Sequence, residues 1–233
     1  MLNRNLQKKP IAFLGMILIV AFSATLFATP VQAAAPIKVV VDVSHGQGPA
    51  NWTGHKLEAL MADFEGNITT VRRHTLVWAA TELNDAVLAG AQFLFLGSVY
   101  GKNLTDTEVA AITRWFEGGG KTIWVAGDSD YGLASYIILN NTNRVLEAIG
   151  SKLRAEPTSV EDPYSNAASA YRVVANVTNT ADTVVAGIVS GVSKALFHGP
   201  TILCGYADGK YVALEKTAID NVYWVMKLSL IHI

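Results

Sequence analysis

Residues 91–131, AQFLFLGSVYGKNLTDTEVAAITRWFEGGGKTIWVAGDSDY, constrain the fold more than any other stretch of the chain. Residues 93–96 form a continuous apolar run, and residues 122–126 are β-branched, aromatic and apolar. Strands covered by helices on both faces of a parallel sheet have this composition. Between them, Thr105-Asp106-Thr107-Glu108 carries a capping-box signature, with the acid three residues after the threonine. Val109, Ile112, Trp115 and Phe116 then recur at helical spacing. Gly118-Gly119-Gly120 ends the helix, because glycine enters the left-handed region without a Cβ clash. Strand, helix and strand make one βαβ unit, whose crossover is expected to be right-handed.

The rest of the chain extends this unit. Residues 37–43, IKVVVDV, read as a central first strand ending in the polar loop Asp42-Val43-Ser44-His45-Gly46-Gln47-Gly48. A helix is predicted near 55–64, a short strand over 67–71 and a helix over 81–89. After Gly132 a helix is expected near 141–149, closed by Gly150. Residues 156–166, with Pro157 and Pro163, form a loop. Strands are predicted over 171–177, 183–185 (weak), 192–197, 201–206, 211–214 and 222–226. Asp208-Gly209 makes the hairpin turn between the fourth and fifth of these. The expected class is α/β, a flavodoxin- or Rossmann-like three-layer sandwich. Its sheet is mostly parallel, with an antiparallel, strand-rich C-terminal extension.

Composition narrows the function classes. A net charge of −1 and 16% charged residues offer no polyanion-binding surface, so no nucleic-acid partner is expected. The single cysteine, Cys204, allows no internal disulfide, and its apolar neighbours suggest a buried hydrophobe over a reactive thiol.

Export is indicated at the N-terminus. Arg4, Lys8 and Lys9 precede an apolar stretch over 11–27, and the alanine-rich segment at 31–35 suits a signal peptidase. Residues 1–34 are read as a signal peptide or, if uncleaved, a membrane anchor. Either places the domain at 35–227 outside the cytoplasm, as a secreted or cell-surface protein. Asn51, Asn67, Asn103, Asn140 and Asn176 each begin an N-glycosylation sequon. They indicate a glycoprotein, or alternatively an asparagine- and threonine-rich surface. Residues 228–233, including His232, read as a truncated or artefactual end, beyond which further domains or a C-terminal anchor are expected.

The patterns AQFLFLGS, LTDTEVAAITRWFEGGGKTIWVAGDSD and NRVLEAIGSKLR, with GIVSGVSKALFHGPT later, together resemble the class I glutamine amidotransferase-like superfamily. The likeness, over about residues 37–214, is to its non-amidotransferase branch of extracytoplasmic domains and trehalose-utilisation-like proteins. That branch includes the domain of gliding-motility transporter auxiliaries and of an intraflagellar transport protein. In the amidotransferases a cysteine occupies a tight turn after a central strand. The matching turn here carries Asp128-Ser129-Asp130, and Cys204 is far along the chain, so the resemblance does not imply glutaminase activity.

In open α/β sheets ligands bind beyond the carboxyl ends of the strands. Three polar clusters are expected there: Asp42, Ser44 and His45; Ser98 and Tyr100; Asp128 and Asp130 with Ser129. Asp and Ser also cap loops and helices, which is the structural alternative. One sharper reading is a hydrolase acting on esters or carbohydrates. Gly127-Asp128-Ser129-Asp130-Tyr131 partly matches a nucleophile elbow, with His45 or His198 as base. The other is a ligand site in which these groups bind sugar hydroxyls, or in which Asp42, Asp128 and Asp130, with His45, hold a divalent cation. No other cofactor is expected. Trp52, Trp78 and Trp115 are candidates for sugar stacking, although Trp115 has a core role. Arg72, Arg73 and His74 read as a solvated strand end. With no complete catalytic set, a non-catalytic binding or scaffold role leads. Its expected partner is a surface polysaccharide or a membrane or transport protein.

Overall fold

The computed structural model describes residues 35–47, 57–99, 101–214 and 216–228. The signal segment, Asn51, Trp52, Tyr100 and residues 229–233 lie outside the described residues. Four parallel strands make the central sheet: β1 (Lys38–Asp42), β2 (Thr75–Ala79), β3 (Ala91–Leu96) and β4 (Thr122–Val125), in the order β2-β1-β3-β4. The strands are linked by α1 (Leu57–Gly66) with a π-helical continuation (Asn67–Val71), by α2 (Asp85–Leu88) and by α3 (Asp106–Glu117). Helix α4 (Gly132–Ala148) follows β4.

Alternation along β1 divides the core, because successive side chains leave a strand on opposite faces. Val40, Leu94 and Leu96 pack on one face with Ile112 and Trp115 of α3 and Val145 of α4. Val39, Val41 and Val43 pack on the other with Phe64, Ile68, Trp78, Phe93 and Phe95. Buried Trp115 satisfies its indole N–H by donating to the Ala91 carbonyl (2.9 Å).

The organising unit forms as its sequence indicates. The Thr105 hydroxyl accepts from Glu108 N (3.2 Å), and Glu108 Oε2 accepts from Thr105 N (2.9 Å), completing the capping box. Gly119 and Gly120 take φ of 72° and 61°, which turns the chain sharply into β4. Strand β4 is nevertheless not buried on both faces: Thr122 and Trp124 are exposed.

Other expectations are corrected. The strand expected over 67–71 is π-helical, and the second strand is instead Thr75–Ala79. Its β-branched residues suggest a strand, but Ile68 follows Phe64 by one helical turn and joins the same cluster. Asn67 Nδ2 and Thr69 Oγ1 also donate back to the Asp63 and Glu65 carbonyls. The helix over 81–89 shrinks to α2, started by Asn84 as its cap. The helix placed near 141–149 begins at Gly132. The weak strand at 183–185 is part of α5 (Thr183–Ile188), because Asp182 accepts from both Val184 N and Val185 N.

The C-terminal strands pair among themselves in small antiparallel sheets. β5 (Leu153–Ala155), β9 (Leu203–Ala207) and β10 (Lys210–Val212) form one, in which Asp208 and Gly209, both at positive φ, make the expected hairpin turn. β6 (Arg172–Ala175) pairs with β8 (Ala195–His198). β7 (Val177–Thr178) pairs with β11 (Met226–Lys227), to which the strand expected over 222–226 is reduced. No described helix is long and apolar enough to cross a membrane.

Candidate functional site

After β1 the chain runs to β2 on one side and then returns to β3 on the other. The crevice between the ends of β1 and β3 is thus the topological switch point. Asp42 ends β1 at this position, and three further groups converge on it. Ser44 donates through N and Oγ to Asp42 Oδ1 (3.1 and 2.8 Å). His45 Nδ1 donates to Asp42 Oδ2 (2.8 Å), and Gln47 Nε2 donates to the same oxygen (3.0 Å). Gln47 Oε1 in turn accepts from His45 N (2.9 Å), which closes the loop on itself.

The far side of the imidazole meets α3. His45 Nε2 lies 3.0 Å from Glu108 Oε1. The contact is an ion pair when the ring is protonated, and Nε2 has no hydrogen-bond partner among the described residues. Glu108 also accepts from Leu83 N (3.0 Å) while capping Thr105. Asp42, His45 and Glu108 are all buried, with exposures of 1%, 0% and 1%.

Burial alone would lower the pKa of His45. The hydrogen bond and charge of Asp42, with the charge of Glu108, outweigh it and hold His45 above its ordinary value. Burial would raise both acids, but His45, Ser44 and Gln47 hold Asp42 below its usual range. For Glu108 the Thr105 and Leu83 amides and then His45 do the same. The direction of these shifts and the two short contacts favour the protonated imidazole, held between two carboxylates. The loop after β3 seals it: Gly101 N donates to His45 O (2.9 Å), and a Cβ on Gly101 would come within 2.7 Å of Gly46 Cα.

The third cluster is separate and partly open. Asp128 Oδ1 accepts from Ser129 N (2.7 Å), and Asp130 Oδ1 accepts from the Ser159 hydroxyl (2.7 Å). Ser129 is buried, and its Oγ accepts from Tyr131 N (3.3 Å). Ser129 N also donates to Gly199 O (3.1 Å), so the segment carrying His198 crosses this loop. The His198 ring is exposed and sits edge-on to Tyr171, with centroids 5.2 Å apart. Among the described residues, neither His45 nor His198 is hydrogen-bonded to Ser129 Oγ. The structure thus does not assemble Ser129, His45 and His198 into one constellation.

Nor does it bring Asp42 together with Asp128 and Asp130. Among the described residues no group of three or more His, Cys, Asp or Glu side chains is placed to hold a metal ion. Ser98 is half-buried. Asn67, Asn103, Asn140 and Asn176 are exposed, although Thr142 of the Asn140 sequon is buried. Cys204 is buried, and burial with the neighbouring Glu156 carboxylate pushes its thiol up to about 11, as suits an inert core residue.

Two groups had only weak signals in the sequence. Glu108 is legible as a helix cap but not as the partner of His45. Trp124 reads as a buried strand residue, yet it is 56% exposed and stacks on Phe95 at 5.7 Å and 5°. Trp78 and Trp115, the described candidates for sugar stacking, belong to the two core clusters.

No family model matches the chain, and no curated protein matches it. Among solved structures it is similar to the mmIFT52 N-terminal domain, at a TM-score of 0.50 and 10% identity. The match covers 73% of this chain and 69% of that one. It is a likeness of fold to a domain of an intraflagellar transport protein, and it does not reach the glutamine amidotransferase-like superfamily as a whole.

Proposed function

We propose that this chain is an exported, non-catalytic binding module, from the non-amidotransferase branch of the glutamine amidotransferase-like superfamily. It would serve a cell-surface or transport-associated protein. One observation carries the reading: the acid–histidine set at the switch point is buried and its charged groups are paired with one another. A catalytic base must reach a substrate proton, whereas His45 has a carboxylate against each ring nitrogen. Ser129 Oγ, the nucleophile of the competing hydrolase reading, faces a backbone amide. Export rests on the basic and apolar pattern of residues 1–34.

The test pairs binding with turnover. The secreted protein is screened by thermal shift against soluble polysaccharides, amphipathic carboxylates, calcium and magnesium, beside p-nitrophenyl ester and glycoside assays. A ligand that binds the folded state raises its melting temperature. A stabilising ligand without turnover is the expected result. Ester or glycoside hydrolysis that disappears in Ser129→Ala would replace the binding module with a hydrolase. Fusion of residues 1–34 to alkaline phosphatase tests export separately, and an inactive cytoplasmic fusion refutes it.

A further inference from the structure

The α1 side of the sheet is incompletely covered. Helix α1 and its π-helical continuation pack on β1, β2 and β3, where Phe64 meets Trp78 of β2 and Phe95 of β3 at 6.3 and 6.0 Å. Helix α4 contributes Val145 to the cluster on the opposite face, and no described helix covers β4 on the α1 side. A groove of about 350 Å³ results, walled by Phe64, Phe93, Phe95 and Trp124. Ile37 and Val39 set it against the amino half of β1 and Phe93 and Phe95 against the middle of β3, and neither Asp42 nor His45 of the sealed switch point lines it. Its volume falls at the low end of small-molecule sites, which run from roughly 300 to 1,000 Å³.

The rim is cationic. Arg72 lines the groove, is exposed, and has no hydrogen-bond or ion-pair partner for its guanidinium among the described residues. His74 lines it too, and its Nδ1 weakly accepts from Ile37 N (3.4 Å), which leaves the ring hydrogen on Nε2 as a donor. None of the lining residues is a carboxylate. A sugar would need polar partners along its whole ring, and the walls are aromatic and aliphatic. A molecule with an apolar body and one anionic end matches both halves of the site: the body against Trp124 and Phe95, the anion at the guanidinium.

We infer that the groove walled by Phe95 and Trp124 and rimmed by Arg72 is a binding site for a small amphipathic carboxylate, aliphatic or aryl. The inference rests on the reading of this chain as a binding module and names its ligand class. Charge complementarity selects this occupant over a second copy of the chain, which would meet Arg72 with a surface of unspecified charge.

The full chain is titrated by calorimetry with decanoate and 4-phenylbutyrate below their micelle concentrations, and with decanol as the uncharged counterpart. Arg72→Gln and Trp124→Ala, both exposed positions, run in parallel with circular dichroism as a check on folding. Saturable one-to-one carboxylate binding is expected. Arg72→Gln weakens it by about tenfold, as loss of a charged hydrogen bond does, and leaves decanol unchanged. Trp124→Ala weakens all three. Absence of saturable carboxylate binding overturns the inference. So does binding untouched by both substitutions, which would move the ligand elsewhere and leave the binding-module reading intact. A dimer abolished by Trp124→Ala and insensitive to decanoate would give the groove to a second copy. Ser129-dependent turnover, which bears on the binding-module reading itself, is read in the separate assay above.

Discussion

The loops that follow β1 and β4 begin with similar chemistry and end in opposite states. Each leaves a parallel strand through an aspartate with a serine close behind, Asp42 with Ser44 and Asp128 with Ser129. The first is closed by His45, Gln47, Glu108 and the backbone of Gly101, and its charges are buried. The second keeps Asp128 half-buried and Asp130 exposed, tied by hydroxyls and amides with no opposite charge among the pairs described. The difference follows from sheet position. β1 is interior and flanked on both sides, so groups at its end are caught between the loop after β3 and the start of α3. β4 is an edge strand of the parallel sheet, so its end meets solvent on one side. Identical residue types thus act as an internal brace in one place and as surface loop ties in the other.

Removing the centre of the brace gives the largest expected effect. His45→Ala leaves Asp42 and Glu108 buried without their shared cation. Breaking a buried ion pair on one side costs about 3–5 kcal/mol. Urea denaturation should show the midpoint falling accordingly, and a loss below about 1 kcal/mol would mean that the cluster is not an ionic brace. Glu108→Gln comes next. It keeps an amide oxygen for Thr105 or Leu83 but loses the charge facing His45, for an expected loss of about 2 kcal/mol. Equal losses in the two variants would move the brace's weight from the imidazolium to the helix cap.

The charged state also predicts a pH dependence whose sign separates the two loops. His45 is raised in the folded state, so its contribution is full below the ordinary histidine value of 6.5 and is lost as pH rises through the folded value. Asp42 and Glu108 are lowered, so theirs are full above the ordinary values of 3.8 and 4.5 and are lost as pH falls through the folded ones. Stability from the brace should therefore be greatest between about pH 4.5 and 6.5. Above that window it should decline by at most about 1.4 kcal/mol per pH unit, the limit for one proton. The decline should be absent in His45→Ala. A wild-type curve that stays level above pH 6.5 would place a neutral imidazole between the acids.

Local signals in the sequence translate well into structure, and non-local ones do not. The capping box at Thr105, the glycines at 119 and 120 and the Asp208-Gly209 hairpin each depend on a few adjacent residues. Asp42 and His45 are legible as a pair at a strand end, but their third member enters from α3, and nothing in the spacing of Glu108 marks it as more than a cap. Residues 67–71 and 183–185 were strand-like by β-branching, yet Phe64–Ile68 packing and the Asp182 cap decide in favour of helix. Trp124 is the converse case. Its apolar run implies burial on both faces, but burial depends on whether a helix crosses that face, and α4 contributes to the core on the other.

The smallest effect is expected at the second loop. Ser129→Ala removes an acceptor held by Tyr131 N at 3.3 Å, the long end of a hydrogen bond. Ser129 N keeps its contacts with Asp128 and Gly199 O, because both are made by the backbone amide. The loss should be below about 1 kcal/mol, with no dependence on pH between 5 and 8, since neither group at that bond titrates there. A larger loss would show that the hydroxyl supports the crossing of the segment at Gly199, where a Cβ would already approach within 3.6 Å of Asp128 Oδ1. In that case the loop after β4 would be a brace like the one after β1, built from neutral hydrogen bonds in place of charge, and the contrast drawn from sheet position would fail.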